Sequence, residues 1–365
     1  SSDVCSSDLS GLNHCYLQCP KCQKTMNRVL DVLDVWFDSG AMPYAQFHYP
    51  FENKELFESQ FPADFIAEGL DQTRGWFYVL LVISTIISGE SCFKNVVVND
   101  MVLDGNGKKM SKSTGNIVDP IETIQKYGAD NVRWYMFYVS PVWTPLKFDF
   151  DGLKEVHSKF FNPLKNTYSF FSMYANIDNI DIDECNVKVD DREEIDKWLL
   201  SKYNKLVRDC TKYYEEYDLN LVTKAITNFV SEDLSNWYIR RNRNRFWSSK
   251  LDNSKKSVYL TTYEVLVGVS QLLAPISPYV SEEIYRNLTG NKSVHLSDFP
   301  KSNNKHIIGF TKKSLNSKEN VGLSSEASDD PRYENPTPYI FVAVSTISED
   351  NAGISKFDMH WFCNK

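Results

Sequence analysis

The feature of this sequence that most limits its fold is a strand, a glycine- and lysine-rich loop and a helix start in direct succession. Residues 96–103 are largely apolar, which predicts a buried strand. Asp119, Pro120 and Glu122 then form the pattern of a helix N-terminus: an N-cap aspartate, a proline in the first helical position and an acid in the first turn. In open α/β sheets, ligands bind at the carboxyl ends of the strands. The order therefore predicts an α/β fold with a ligand-binding loop at residues 104–116.

This loop combines backbone freedom with positive charge. Its glycines and lysines are Gly105, Gly107, Gly115, Lys108, Lys109 and Lys112. Glycine lets the backbone approach a ligand closely, and lysine offers a point charge to phosphate oxygens. On composition alone, a solvated lysine-rich turn explains the pattern equally well.

Composition limits the class of protein further. With 365 residues, of which 42% are apolar and 24% charged, the chain is long enough for two or three domains with ample core. Because the formal net charge is −8, any contact with nucleic acid requires a local basic patch. The longest apolar run, residues 76–83, is too short to span a bilayer, and no signal peptide is visible. We therefore expect a cytoplasmic protein without a membrane partner.

The N-terminal region, residues 1–24, contains a Cys-x-x-Cys pair formed by Cys19 and Cys22. Such a pair supplies two of the four ligands of a tetrahedral zinc site. No second pair is visible downstream, so two unoccupied thiols on a loop are the alternative. Residues 1–10 repeat Ser-Ser-Asp and are expected to be foreign to the fold.

Four local elements are predicted around the loop. Residues 30–37 indicate a short strand, and residues 61–69 indicate another that ends in glycine. Asp71 is predicted to be the N-cap of a largely apolar helix that extends to Ile87. Asp130 is predicted to cap a further helix.

The pattern changes to long amphipathic helices after about residue 153. The predicted helices are residues 153–176, 191–216, 219–247, 256–273 and 278–288, which together favour a helical bundle. One segment of the third helix mixes arginine with aromatic residues, namely Trp237, Arg240, Arg241, Arg243 and Arg245. Arginine binds phosphates in a bidentate manner and stacks on bases. The same arginines could instead pair with carboxylates on adjacent helices.

Residues 109–113 spell Lys-Met-Ser-Lys-Ser, which is the KMSKS motif of class I aminoacyl-tRNA synthetases letter for letter. Together with residues 34–40 and 68–76, this pentapeptide makes the chain resemble the isoleucyl-tRNA synthetases, from about Cys19 to Pro300. The resemblance implies an α/β plus all-α fold. Its α/β part would be the C-terminal half of a Rossmann-like catalytic domain, followed by a helical-bundle anticodon-binding domain.

The resemblance also implies a reaction, in which isoleucine and Mg-ATP form isoleucyl-adenylate and the amino acid is then transferred to tRNA(Ile). It implies that Lys109 and Lys112 are catalytic, because they stabilise charge on the phosphates. The residues implied to bind ATP or the adenylate are Glu68, Gly69, Asp71, Gln72, Met110, Ser111 and Ser113. Trp36, Gln72 and Trp76 are implied to line the amino-acid pocket, although core packing is the alternative for the tryptophans. The arginine-rich segment with Trp237 is implied to bind tRNA.

The domain boundaries expected from this resemblance are residues 25–150 for the catalytic part and 151–300 for the anticodon-binding part, with residues 301–365 unassigned as a disordered or aberrant tail. None of the six histidines lies in the His-x-Gly-His motif that the family carries, and the family's editing domain is not recognisable. We therefore expect a C-terminal fragment that is inactive alone.

Other functions are compatible with parts of this pattern. Valyl- and leucyl-tRNA synthetases share the fold and the lysine-containing loop, and a non-catalytic tRNA-binding module would retain only the helical bundle. The implied partners are tRNA(Ile), isoleucine and Mg-ATP, with zinc as a further candidate, and we expect a monomer.

Overall fold

The computed structural model describes residues 17–26 and 34–307, which form an α/β part and a helical part. The expectations for residues 1–10 and for the tail beyond residue 307 lie outside the described residues. The elements of the α/β part are β1 (Leu17–Gln18), β2 (Thr25–Met26), α1 (Val35–Gly40), α2 (Met42–Ala45), α3 (Lys54–Gln60), β3 (Ala63–Gly69), α4 (Trp76–Ser88), β4 (Phe93–Asn99), β5 (Val102–Leu103), α5 (Pro120–Tyr127), α6 (Ala129–Val139) and β6 (Leu146–Lys147).

Strands β3 and β4 with the connecting helix α4 form the centre of the α/β part. The two strands are parallel and end together, since Gly69 pairs with Asn99. Helix α4 covers one face of the strand pair through a cluster of buried residues that comprises Ile66, Phe77, Leu80 and Cys92. On the other face, Val97 is fully buried among Phe65, Ala67, Val142, Tyr217 and Leu219. The strand pair is therefore packed between its own helix and the segment of the helical part around residues 217–219.

The single strand predicted at residues 96–103 is two strands in the structure. Strand β4 ends at Asn99, whereas β5 pairs in parallel with β6. Between the strands, the backbone N–H of Asp100 donates to the carbonyl of Val142 at 3.0 Å, and the Asp100 carboxylate accepts the N–H of Met101 at 2.7 Å. Because these bonds occupy the backbone where the ladder would continue, the loop that follows belongs to a second, two-stranded sheet.

The helical part confirms the predicted succession of helices to within a few residues. Its helices are α7 (Phe150–Val156), α8 (Asn162–Ile177), α9 (Glu194–Glu215), α10 (Leu219–Asn228), α11 (Arg240–Trp247), α12 (Asn253–Leu273) and α13 (Pro278–Thr289). Wider π-helical turns at His157–Phe161 and Phe229–Ile239 join α7 to α8 and α10 to α11 without a break. Within the described ranges, no helix is both long and apolar enough to cross a membrane.

Helix α6 fastens the α/β part to the bundle. The Trp134 Nε1–H donates to the hydroxyl of Thr227 at 3.1 Å, and the Trp134 ring stacks on Phe160 with 4.3 Å between the ring centroids. The Asp130 carboxylate accepts the backbone N–H of Val280 at 2.7 Å, at the start of α13. The prediction that Asp130 caps its own helix is therefore wrong, because this carboxylate caps a helix of the bundle instead.

Two other local predictions are also wrong. The sequence predicts a strand at residues 30–37, but the described part of this segment is helical. Helix α1 begins at Val35, and the Asp34 carboxylate caps it by accepting the N–H of Trp36 at 2.7 Å. Asp71 lies inside a short 3-10 turn, and α4 begins only after Gly75. Helix α1 packs against α4, a contact between distant parts of the chain that a local sequence pattern does not reveal.

Candidate active site

The lysine loop, residues 104–116, begins with a tight turn. The N–H of Gly107 donates to the carbonyl of Asp104 at 2.8 Å, and Gly107 has a φ of +78°. Lys109 then returns beside strand β5 and forms an antiparallel bridge with Leu103. A positive φ is readily adopted by glycine, so the residue type is required by the turn itself.

The second half of the loop forms a short 3-10 turn over Lys112–Thr114. The hydroxyl of Ser111 accepts the N–H of Thr114 at 3.3 Å and so caps this turn. The turn ends at Gly115, whose φ is +65°. Glycine therefore shapes both halves of the loop, as the close approach of a ligand to the backbone would require.

The predicted phosphate-binding residues lie together on this loop. Lys109 and Lys112 are exposed, whereas Met110 between them packs against the large core shared with the bundle. The hydroxyls of Ser111 and Ser113 are 3.0 Å apart. The pentapeptide at residues 109–113 therefore presents two ammonium groups and two hydroxyls while one apolar side chain anchors it.

Sequence reasoning missed two residues that connect the halves of the loop, Asp104 and Asn116. The Asn116 side-chain amide donates to Asp104 Oδ2 at 2.9 Å and to the carbonyl of Lys109 at 3.2 Å. Its oxygen accepts the N–H of Ser111 at 2.9 Å and the hydroxyl of Thr114 at 2.6 Å. The hydrogen bond from Asn116, together with backbone N–H donors of the loop, holds the pKa of Asp104 below its ordinary value. The only sequence signal was the presence of two small polar residues in a turn-rich stretch.

The polar residues predicted for the adenylate lie where strand β3 ends. Glu68 and Gly69 are its last two residues, and Asp71 and Gln72 follow in the 3-10 turn. The Gln72 Nε2 donates to Asp71 Oδ2 at 3.2 Å. Since β3 and β4 end in register, these residues occupy the edge from which the chain continues to β5 and the lysine loop.

The structure brings the predicted amino-acid pocket residues Trp36, Gln72 and Trp76 together around Gly75. The Gln72 Oε1 accepts the N–H of Trp76 at 2.9 Å, and the Trp76 indole N–H donates to the carbonyl of Ser39 at 3.1 Å. A Cβ on Gly75 would lie 2.7 Å from Gln72 Oε1 and 3.1 Å from the Trp36 ring, so a side chain there would displace the Gln72 amide and press on the Trp36 ring. Trp36 remains 46% exposed, which fits the wall of a pocket better than a core position.

On the arginine-rich segment of α11, three of the four predicted arginines face solvent. Arg240, Arg241 and Arg243 are exposed. The Arg241 guanidinium lies 4.6 Å from the centroid of the Trp237 ring. This stack places an exposed planar cation against a half-buried aromatic ring, which is an arrangement suited to phosphates and bases.

Arg245 does not belong to this surface. Its guanidinium forms two hydrogen bonds of 2.8 Å with the two carboxylate oxygens of Asp196, which is fully buried on α9. It also donates to the hydroxyl and the carbonyl of Ser254. The alternative from the sequence, pairing with a carboxylate on an adjacent helix, is therefore correct for Arg245, and its predicted contact with tRNA is withdrawn.

The predicted zinc half-site lies on the hairpin between β1 and β2. The N–H of Cys19 donates to the carbonyl of Lys24 at 2.9 Å, and Cys22 is exposed. Backbone N–H groups of Cys22 and Lys21 lower the pKa of the Cys19 thiol. Over residues 17–26 and 34–307, no three histidine, cysteine or acidic side chains are grouped so that they could hold a metal ion. Zinc is therefore not supported by the described structure.

Comparison with known proteins finds two family models along the chain. Residues 10–149 match the family model for class I tRNA synthetases (I, L, M and V), and residues 196–328 match the model for the anticodon-binding domain of tRNA ligases. The chain is 52% identical over 300 residues to the isoleucine–tRNA ligase of Porphyromonas gingivalis and 48% identical over 283 residues to that of Bacillus thuringiensis. The chain belongs to the isoleucyl-tRNA synthetases of class I.

These two alignments cover most of this chain but only a small part of each relative. They include 81% of this chain and 26% of the Porphyromonas protein, and 77% of this chain and 27% of the Bacillus protein. The chain therefore spans about a quarter of the length of the curated relatives that it matches.

Two solved structures share the fold. One is a LeuRS-tRNA-LeuAMS ternary complex from Agrobacterium radiobacter, with a TM-score of 0.62 and 20% identity over 80% of this chain and 36% of that chain. The other is Mycobacterium tuberculosis methionyl-tRNA synthetase in complex with methionyl-adenylate, with a TM-score of 0.58 and 20% identity over 73% of this chain and 51% of that chain. The likeness shows that the fold is shared, with an α/β part followed by a helical part.

Proposed function

We propose that this isoleucyl-tRNA synthetase chain supplies the phosphate-binding loop for isoleucine activation and a surface that binds tRNA(Ile). The observation that carries the proposal is the lysine loop, in which Lys109 and Lys112 are exposed on a backbone fixed by Met110 and Asn116. The relatives that support isoleucine as the substrate are named isoleucine–tRNA ligases.

In the proposed reaction, the carboxylate of isoleucine forms a bond to the α-phosphorus of ATP while the bond to the pyrophosphate oxygen breaks. Negative charge grows on the departing phosphates, and fixed positive charges lower the barrier to this step. Lys109 and Lys112 are proposed to supply those charges, and the hydroxyls of Ser111 and Ser113 to donate hydrogen bonds. Mg²⁺ is proposed to enter with the phosphates of ATP.

The strand edge is proposed to hold the rest of the adenylate. Glu68, Asp71 and Gln72 offer carboxylate and amide groups to a ribose, and Gly69 permits close approach of the backbone. Trp36 and Trp76 are proposed to form the apolar wall against which the isoleucine side chain packs.

Lysine footprinting tests the loop. Acetylation of each lysine is followed by mass spectrometry with and without Mg-ATP, with Lys250, an exposed residue of the bundle, as the internal control. We expect Mg-ATP to slow modification of Lys109 and Lys112 and to leave Lys250 unchanged. Equal rates at all three lysines would contradict the proposal for the loop.

For tRNA, we propose that Arg240, Arg241 and Arg243 contact phosphates while Trp237 supports a stacked base. Filter binding of tRNA(Ile) to the native chain and to the R240A/R241A/R243A variant tests this surface. Each lost phosphate contact should reduce the slope of log K against log salt by roughly 0.7–0.9. Arg286, an exposed arginine on α13, provides the control, and R286A should leave affinity and slope unchanged.

A further inference from the structure

We propose that Asp104 and Asn116 are positioning residues, which hold the lysine loop in one conformation and thereby set its affinity for phosphates. This inference rests on the proposed phosphate-binding function of Lys109 and Lys112. It assigns a role to two side chains that the KMSKS pentapeptide does not include. We call the pair the clasp.

Asn116 uses the complete hydrogen-bonding capacity of its side-chain amide. A primary amide has two N–H donors and two acceptor lone pairs. Asn116 donates to Asp104 and to the carbonyl of Lys109, and it accepts from the N–H of Ser111 and the hydroxyl of Thr114. A half-buried side chain with all four bonds made inside a single loop is a fixed hub of that loop.

Two of the Asn116 hydrogen bonds lie on the backbone between the two proposed catalytic lysines. The carbonyl of Lys109 and the N–H of Ser111 flank Met110, so one amide group clamps the backbone on both sides of that residue. The direction of the backbone here sets how Lys109 and Lys112 leave the loop. The clasp therefore acts on the two proposed catalytic side chains without touching the phosphates.

The Asp104 carboxylate connects the first turn to the second half of the loop through hydrogen bonds. Its Oδ1 accepts the N–H of Asn106 at 3.0 Å and that of Lys108 at 2.8 Å, while Oδ2 accepts from Asn116 at 2.9 Å. Hydrogen bonds to an ionised carboxylate are about twice as strong as those between neutral groups. One side chain thus joins the turn at Gly107 to the segment that carries the lysines.

Tryptic cleavage after Lys108, Lys109 and Lys112, resolved by mass spectrometry, measures how often the loop opens. The isosteric N116D variant keeps the shape of the side chain but loses both donors and places a carboxylate beside Asp104. The matched control is N106D, because Asn106 lies in the same loop and its side chain is not part of the clasp. It carries the same change in charge.

We expect N116D to raise the cleavage rate at these bonds by roughly fivefold or more, since loss of one net hydrogen bond shifts an opening equilibrium by about that factor. D104N should raise it as well, whereas N106D should stay within about twofold of the native chain. Unchanged rates in both clasp variants, or an equal rise in N106D, would overturn the proposal. The melting temperature of the helical part, followed by circular dichroism, should be the same in the native chain, N116D, D104N and N106D.

A second readout separates a positioning role from a purely structural one. The concentration of inorganic tripolyphosphate that halves cleavage of the loop should rise more in N116D than in N106D, although neither change removes a lysine. Equal concentrations in the two variants would contradict the effect on affinity. If tripolyphosphate fails to protect the native loop, the proposed phosphate-binding function itself is wrong, while the cleavage rates without ligand still decide whether the clasp orders the loop.

Discussion

The lysine loop and the inner side of helix α11 both carry positive charge, but the structure places that charge in opposite settings. In the loop, Lys109 and Lys112 are exposed, and the neutral amide of Asn116 makes the bonds that fix the backbone. On the inner side of α11, Arg245 itself makes the structural bonds, because it pairs with the buried Asp196. The difference teaches that a cationic motif does not fix its own role: an exposed cation can meet a ligand, whereas a cation paired with a buried carboxylate stabilises the fold.

The largest expected effect concerns the buried pair. R245A should lower the free energy of unfolding by about 3–5 kcal/mol, because removal of one partner leaves the other charge buried and uncompensated. R241A, one helical turn earlier, should cost no more than about 1 kcal/mol, the usual range for an exposed cation–π contact. Urea denaturation followed by far-UV circular dichroism measures both.

A double variant sharpens this result. If Arg245 and Asp196 act as a pair, D196A/R245A should cost clearly less than the sum of D196A and R245A. Strict additivity, or a similar cost for R241A and R245A, would break the distinction between the two sides of the helix.

For tRNA binding, we expect the order of the two variants to be reversed, with R241A showing the larger effect and R245A the smaller. R241A should weaken binding of tRNA(Ile) by several-fold and reduce the salt slope, because an exposed phosphate contact is lost. R245A, assayed at a temperature where it is folded, should keep the native salt slope. A lower slope for R245A would mean that Arg245 leaves Asp196 when RNA binds.

Much of this arrangement could be predicted from the sequence, and the failures have a common cause. The succession of helices after residue 150 and the loop around Lys109 followed from local periodicity and a specific pentapeptide. The caps predicted at Asp71 and Asp130 are wrong, because a short polar residue before an apolar run does not by itself show which backbone N–H groups its side chain will meet. The partner of Asp130 lies at Val280, far along the chain.

The cysteines also differ in their surroundings, and we expect their thiols to differ in reactivity as a result. Hydrogen bonds from the backbone lower the pKa of the half-buried Cys19, whereas burial raises the pKa of Cys92 and Cys210. Cys19 therefore has the larger thiolate fraction at neutral pH, and its reactivity should rise at lower pH than that of the other two. Iodoacetamide should modify Cys19 at least about tenfold faster, because buried thiols react only through opening of the fold. Equal rates would contradict the described burial.

The smallest expected effect is the pH dependence of two aspartates. The hydrogen bonds of the clasp lower the pKa of Asp104, so its contribution to loop stability is present above the ordinary aspartate pKa and is lost as the pH falls through the lowered value. Burial raises the pKa of Asp130, so its ionised form is disfavoured in the fold and stability from this group decreases as the pH rises through the raised value. Carboxyl NMR titration should find Asp104 below and Asp130 above the ordinary range. The reverse order would contradict the hydrogen bonds at Asp104 and the burial of Asp130.

The most direct test of the account is calorimetric titration of the chain with inorganic tripolyphosphate in the presence of Mg²⁺. The native chain should bind it, and K109A/K112A should bind at least about a hundredfold more weakly, since each of two charge-assisted hydrogen bonds contributes about 1.5–3 kcal/mol. K108A, which removes a lysine from the same loop but outside the pentapeptide, should stay within about threefold of the native affinity. Native affinity in K109A/K112A would contradict the account, because the exposed lysines of the loop would then have no part in binding phosphate.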